Sequence, residues 1–346
     1  MRKKILRTGS ALLAVMLCWM VLFCVPAAAD QPETLNYSDG SVYEGETLPG
    51  GIRNGTGSYR WSTGESYSGQ WKNDVITGKG EMTWPGLGTY VGDFKDGLRH
   101  GQGVFTWSYA KKAEQGQPVS FSGQWADDKI GAKGTLVLQG IGTYEGAFAK
   151  QKREGRGTFT WLNGDKYTGE WKSDAINGTG KLTLADGTVL EGTFANGVLN
   201  KGTVTYDVPG GEATRDVQGG KVKPDVTIKY QNGTTLVGKL NKNEFSGNVT
   251  IRYSNGDKYE GTLKNGKKDG KGTYIWRSGA HYVGAWSNDK MNGTGTYYYS
   301  KDETKLYLKG TFKNGSPNGT LVYVGDNKLR YTSVWSNGKC TSITYK

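Results

Sequence analysis

Tyr67-Ser68-Gly69-Gln70-Trp71, Tyr90-Val91-Gly92-Asp93-Phe94, Tyr144-Glu145-Gly146-Ala147-Phe148 and Tyr167-Thr168-Gly169-Glu170-Trp171 are one five-residue phrase, and Tyr67 and Tyr90, like Tyr144 and Tyr167, stand 23 residues apart. A repeat of this length decides the architecture before any local detail does. In the same register the phrase begins at Tyr43, Tyr67, Tyr90, Phe121, Tyr144, Tyr167, Leu190, Leu236, Tyr259, Tyr282, Leu308 and Tyr331, which is twelve copies. The 46 residues from Leu190 to Leu236 are two periods and place a thirteenth, eroded copy at residues 213–217. The 31 residues from Tyr90 to Phe121 place an insertion of eight at residues 111–118.

Eleven and thirteen residues after the first aromatic come two more glycines, as in Gly78 and Gly80, Gly101 and Gly103, and Gly155 and Gly157. Alternation then resumes with Phe105 and Trp107, Phe159 and Trp161, or Tyr274 and Trp276. Strict alternation is the signature of a strand. Asn163-Gly164, Asp186-Gly187, Asn255-Gly256 and Ser278-Gly279 turn the chain into the next copy, because glycine supplies the positive φ of a tight turn. One period is therefore a hairpin. The expected fold is all-β, an elongated single-layer antiparallel sheet of tandem 23-residue hairpins. Side chains alternate faces along a strand, so Tyr67, Gly69 and Trp71 share one face, while Thr, Ser, Lys, Glu and Asp take the other. The glycines leave room for neighbouring rings to lie over the backbone, which lets one layer build a thin apolar strip. About 26 strands at roughly 4.8 Å would give a ribbon on the order of 120 Å. Fifty-five glycines, eleven Trp and twenty-one Tyr among 346 residues, with 35% hydrophobics, suit a repeat better than a conventional core.

The pattern Tyr-x-Gly-x-Trp, Gly-x-Gly and an Asn/Asp-Gly turn at this period resembles the MORN repeat family (membrane occupation and recognition nexus), from about Asn36 to Trp335. Residues 90–107, with Arg99-His100-Gly101-Gln102-Gly103, follow that pattern over a full copy. The eroded copy near Ala213 and the starts at Leu190, Leu236 and Leu308 depart from it. The resemblance implies a scaffold that binds lipid headgroups or proteins, that often dimerises, and that sometimes accompanies a catalytic domain.

Residues 1–29 have the order of a signal peptide: Arg2, Lys3, Lys4 and Arg7, an apolar run over 11–25, then Pro26-Ala27-Ala28-Ala29. The run is shorter than the roughly 20 residues a spanning helix needs. The expectation is an exported protein, periplasmic, cell-surface or secreted; the alternative is an N-terminal membrane anchor. Cleavage would remove Cys18 and Cys24 and leave Cys340, with no internal disulfide. It would also remove four basic residues, leaving 40 Lys and Arg against 32 Asp and Glu, a net charge of +8. That sign favours anionic partners such as phospholipid headgroups, wall polymers or acidic proteins.

No chemistry stands out. His100 and His281 are the only histidines, and no Cys, Asp or Glu cluster with ligand spacing surrounds them. His100 takes the turn slot filled elsewhere by Glu154, Asn177, Asp269 and Asn292, and Asp127-Asp128 are read as solvated turn acids. No catalytic, metal or cofactor-binding residue is assigned, and no cofactor is expected. Gly101-Gln102-Gly103 has no helix behind it, so a phosphate loop fails on context, and nucleic acid is not an expected partner. The candidate binding face is the aromatic strip: Tyr67, Trp71, Tyr90, Phe94, Phe105, Trp107, Trp125, Tyr144, Phe148, Phe159, Trp161, Tyr167, Trp171, Tyr259, Tyr274, Trp276, Tyr282 and Trp286. A contiguous apolar patch marks an interaction site; the plainer alternative is that the rings cover one another. The expectation is a non-enzymatic exported scaffold for proteins or anionic membrane surfaces. The alternatives are a cell-wall or glycan-binding module, or part of an enzyme complex whose catalysis a partner supplies. A homodimer could bury two strips or pair two sheet edges.

Pro209, Gly210, Gly211, Gly219, Gly220 and Pro224 interrupt the alternation. They divide the array into residues 30–206 and 226–346 around an irregular segment or joint at 207–225. A flexible joint predicts that limited proteolysis cuts first within 207–225; cleavage spread evenly along the array would leave only a fixed bend or an eroded copy.

Overall fold

Most hairpins close on two residues that both take positive φ: Asn73 and Asp74 at +47° and +68°, Asn265 and Gly266 at +50° and +73°, Asn288 and Asp289 at +48° and +67°. These are the signs of the type I′ turn, whose twist matches that of the strands it joins. Asn, Asp and Gly tolerate that region best. The computed structural model describes residues 32–109, 114–241, 244–326 and 328–345. The stretch read as a signal peptide, 1–29, lies outside the described residues, as does part of the insertion, 110–113. Pro118, assigned to that insertion, instead opens the strand Pro118–Ala126 opposite Leu138.

The described chain is all-β, one open antiparallel sheet of 28 strands from Glu33–Asn36 to Lys339–Tyr345. Its register sets glycine against glycine. Gly45, Gly57, Gly69, Gly80, Gly92, Gly103, Gly123, Gly134, Gly146, Gly157, Gly169, Gly180, Gly192 and Gly202 pair in one row across fourteen successive strands. A second row runs Gly261, Gly272, Gly284, Gly295, Gly310. The phrase's first ring lies on this row. A Cβ added to Gly103 would sit 2.2 Å from the Tyr90 hydroxyl, and one on Gly157 would sit 2.3 Å from that of Tyr144. The register shifts just beyond the phrase glycine, at Gly92/Asp93, Gly146/Phe148 and Gly169/Trp171. There the phenol donates to a backbone carbonyl, Tyr90 to Asp93 at 3.0 Å, Tyr144 to Ala147 at 2.9 Å and Tyr167 to Glu170 at 3.0 Å.

The first and fifth residues of successive phrases interlock. Tyr43, Trp71, Tyr67, Phe94, Tyr90, Trp125, Phe121, Phe148, Tyr144, Trp171, Tyr167 and Phe194 touch in that order, edge to face, with centroids 5.1–5.6 Å apart. Such pairs are worth about 0.5–1.5 kcal/mol each beyond the area they bury. Each inner ring touches one ring of its own copy and one of a neighbour, so this chain ties hairpin to hairpin as a repeat array requires. It stops at Phe194 and resumes with Tyr259, Trp286, Tyr282 and Phe312. Between them the buried hydrophobic positions are aliphatic, among them Ala213, Val217, Val226, Leu236 and Val249. The core accordingly forms two clusters that meet at this copy. The backbone ladder runs through it: Gly211–Gln218 pairs with Val198–Val208 on one side and Lys221–Tyr230 on the other.

Gly103→Ala should cost roughly 1–3 kcal/mol, because its methyl must displace the Tyr90 ring. In a Tyr90→Leu background, where no phenol occupies that space, the same substitution should cost less. Strictly additive losses in denaturant unfolding would sink the ring-over-glycine account.

Candidate functional site

Fourteen of the eighteen aromatic residues read as a binding face are buried: Tyr67, Trp71, Tyr90, Phe94, Phe105, Trp125, Tyr144, Phe148, Phe159, Tyr167, Trp171, Tyr259, Tyr282 and Trp286. They cover one another and the glycine row, and so form the core. Trp107, Trp161, Tyr274 and Trp276 stay half-buried. Trp107, Trp161 and Trp276 join Trp61 and Trp84 in an outer row near the turns between copies. The two rows differ in their indole N–H groups. Trp71, Trp125, Trp171 and Trp286 donate to the carbonyls of Gly57, Gly103, Gly157 and Gly272 at 3.1, 3.2, 3.2 and 3.1 Å. The indole N–H groups of the outer Trp61, Trp84, Trp107, Trp161 and Trp276 have no hydrogen-bond partner among the described residues and are not buried. Near the other end, Ser333 stands where other phrases have glycine; its hydroxyl donates to the Leu321 carbonyl at 3.1 Å and accepts from the Trp335 indole at 2.9 Å.

A second device escaped the sequence reading. Arg53, Arg99, Arg153 and Lys268 lie over the rings of Trp71, Trp125, Trp171 and Trp286, at 4.4, 4.6, 4.6 and 5.4 Å from the centroids. Each also pairs with the Asp three residues beyond that Trp, namely Asp74, Asp128, Asp174 and Asp289, at 2.9, 2.9, 3.1 and 3.4 Å. Where the phrase ends in Phe94, Phe194 or Phe312, the basic residue's place is taken by Ile76, Ile176 or Met291. The unit of packing is thus often two copies long. The recurring Trp-x-x-Asp was the available signal. Asp128, read as a solvated turn acid, accepts from both the backbone and the side chain of Arg99. The Arg53 guanidinium beside Asp74 holds that carboxyl below the usual range. His100, expected in a turn, lies inside the strand Leu98–Trp107 opposite Asp93.

The lysines gather where the hairpins turn. The residues flanking the turns pair as Lys72 with Val75, Lys95 with Leu98, Ala126 with Lys129, Ala149 with Lys152, Lys172 with Ala175, and Gln218 with Lys221. The series continues with Lys264 and Lys267, Ser287 and Lys290, Lys313 and Ser316, and Ser336 and Lys339. Each pair stands one residue beyond a core-facing pair, so alternation turns all these lysines to the polar face, along one long margin. All are exposed, and none makes an ion pair among the described residues. Glu244 is the only acid among the flanking pairs. In the turns themselves, Asp74, Asp128, Asp174 and Asp289 are held by the basic residues described above, which leaves Asp96, and Asp127 at 3.6 Å from the His100 imidazole.

The MORN repeat model matches residues 50–66, 67–89, 90–108, 144–166, 167–189, 259–281 and 282–304. The chain is a MORN-repeat protein. Hairpins beginning at Phe121, Leu190, Ala213, Leu236, Leu308 and Tyr331 fall outside those seven segments but continue the same MORN sheet. No curated protein sequence matches the chain. Among solved structures, one match is the TCP domain of SAS-4 (dCPAP) of Drosophila melanogaster, in complex with a proline-rich motif of Ana2 (dSTIL). It is 14% identical, covers 55% of this chain and 93% of that one, and has a TM-score of 0.28. At that score the likeness carries no argument here.

On the polar side of the MORN sheet a shallow groove of about 810 Å³ follows the glycine row past Glu145, Arg156, Thr168 and Lys181. Among the described residues no three His, Cys, Asp or Glu side chains gather to hold a metal. His281 is buried, stacked on Tyr298 at 4.5 Å and 3.1 Å from Glu303.

Burial pushes the phenols of Tyr67, Tyr90, Tyr144 and Tyr282 up from 10.0 to about 12. Their neutral form belongs to the fold, so this contribution is complete below pH 10 and is lost as pH rises from about 10 through about 12. Alkaline titration should show the phenolate absorbance of these residues appearing together with loss of the sheet's circular dichroism. Ionisation of all tyrosines near pH 10 with the sheet intact would contradict it.

Proposed function

We propose that this protein is an exported, non-enzymatic scaffold that binds anionic macromolecules along its lysine margin. The observation that carries the reading is that, among the described residues, eleven exposed lysines without ion pairs stand on one face of one margin. The acids in the neighbouring turns are mostly engaged by Arg53, Arg99, Arg153 and Lys268. Charge of one sign collected on one edge raises the local concentration of the opposite charge, which a scattered excess does not. The basic, apolar and small-residue order of residues 1–29 supports export. Acidic proteins, anionic membrane surfaces and wall polymers are all partners of the required sign.

A second reading rests on the outer tryptophans. Half-exposed indoles with unpartnered N–H groups, spaced two strands or roughly 10 Å apart from Trp61 through Trp84 to Trp107, offer both an apolar face and a donor to a sugar chain. Binding there would resist salt and yield to soluble sugar.

The two surfaces separate by charge reversal. Lys95, Lys129 and Lys152 changed together to Glu should abolish retention on an anionic matrix at low salt. The same change at Lys133, Lys181 and Lys271, on the interior of the polar face, should leave most of it. Equal losses would reduce the effect to net charge and overturn the assignment to the margin. Retention that salt does not release but sugar does would favour the tryptophan row.

A further inference from the structure

The margin's geometry narrows the kind of anion it suits. Its flanking lysines stand in ten of the twelve hairpins from Lys72 to Lys339, interrupted at the pairs Ala195–Val198 and Asn241–Glu244. Each hairpin advances two strands, about 10 Å, so the row extends on the order of 110 Å. That step matches the screening length of roughly 10 Å at 0.1 M salt. Fields of successive lysines therefore overlap, while an isolated small anion feels little beyond one or two of them.

The shape of the row separates a line from a plane. Neighbouring strands rotate by roughly 20–25°, so the margin turns about the ribbon axis by about 40–50° per hairpin. A flat bilayer can meet only a short arc of such a winding edge. A flexible chain can follow it. The side chains also discriminate. The cations are ammonium groups, compact point charges that pair with phosphate without a fixed geometry, whereas planar carboxylates favour guanidinium forks. The arginines on this margin, Arg53, Arg99 and Arg153, face the aromatic side and are occupied by Trp71, Trp125 and Trp171. Beside the lysines stand Val75, Leu98, Ala126, Ala149 and Ala175. These uncharged neighbours neither repel nor compete for a phosphate.

We infer that the occupant of the lysine margin is a linear phosphate-bearing polymer laid lengthwise across successive hairpins. This rests on the reading of that margin as the anion-binding surface.

The test uses the full chain with inorganic polyphosphate of graded length, tripolyphosphate being the shortest, and with phosphatidylglycerol vesicles at equal accessible phosphate. Affinity per chain should rise on the order of a hundredfold from the shortest polymer to one that spans the margin. The salt dependence should steepen with length as more counterions are released. Replacing Lys72, Lys95, Lys129 and Lys152 by Ala should flatten that slope by several charges; replacing Lys133, Lys181, Lys201 and Lys271 should leave it. All eight are exposed, so both variants should keep the circular dichroism of the parent. Binding that does not depend on polymer length, or vesicles bound more tightly than the longest polymer, would overturn the linear-polymer inference and leave the anionic margin standing. Binding to neither probe would remove both. Length-dependent binding unchanged by the margin substitutions would place the polymer elsewhere and overturn the assignment.

Discussion

The approach of an aromatic ring onto a paired glycine is the constraint on which the rest of the structure depends. A single-layer sheet has no second layer against which to bury its apolar face. Here the layer is supplied by the side chains themselves: Tyr90 lies where a Cβ on Gly103 would have to be, and Tyr144 does the same over Gly157. The glycine is required by a close approach, and the ring's hydroxyl reaches a carbonyl at the register shift beyond it. Without the glycine the ring would lift, and the neighbouring Trp or Phe would lose the edge it packs on.

This economy leaves the aromatic residues few other duties. An aromatic-rich face read from sequence suggests a sticky surface, but most of these rings meet another ring at near right angles and are covered by it. Of those that stay partly open, Trp107, Trp161 and Trp276 are set two residues farther along the second strand, where no following strand carries a phrase ring to cover them. The distinction between Phe159 and Trp161 is one of position along the strand. Their chemistry gives no hint of it.

The eroded region shows what the rings contribute and what they do not. Between Phe194 and Tyr259 the ladder persists with aliphatic residues in the core positions. Backbone pairing and a buried face therefore suffice for continuity, while the edge-to-face chain adds coupling between copies. The array thus consists of two strongly coupled stretches joined by a stretch that shares the sheet but not the ring contacts.

Much of this was legible in the linear text. The period gave the hairpins, alternation gave the two faces, and the size of Tyr against the absence of a side chain on Gly gave the ring-over-backbone packing. The Arg99 pairing with Asp128 was not legible, because 29 residues separate them whereas 21 separate Arg53 from Asp74. An insertion changes sequence distance but leaves strand neighbours in place. Nor could Lys72 and Lys339 be seen to share a margin: hydrogen-bond register and two-residue turns carry each hairpin's end to the same side. The sequence by itself determined the fold class and the residues that must pack. Only the tertiary structure decided which rings are covered, which acids are engaged and where the unpaired positive charge collects, because burial and pairing depend on strands that meet across the sheet.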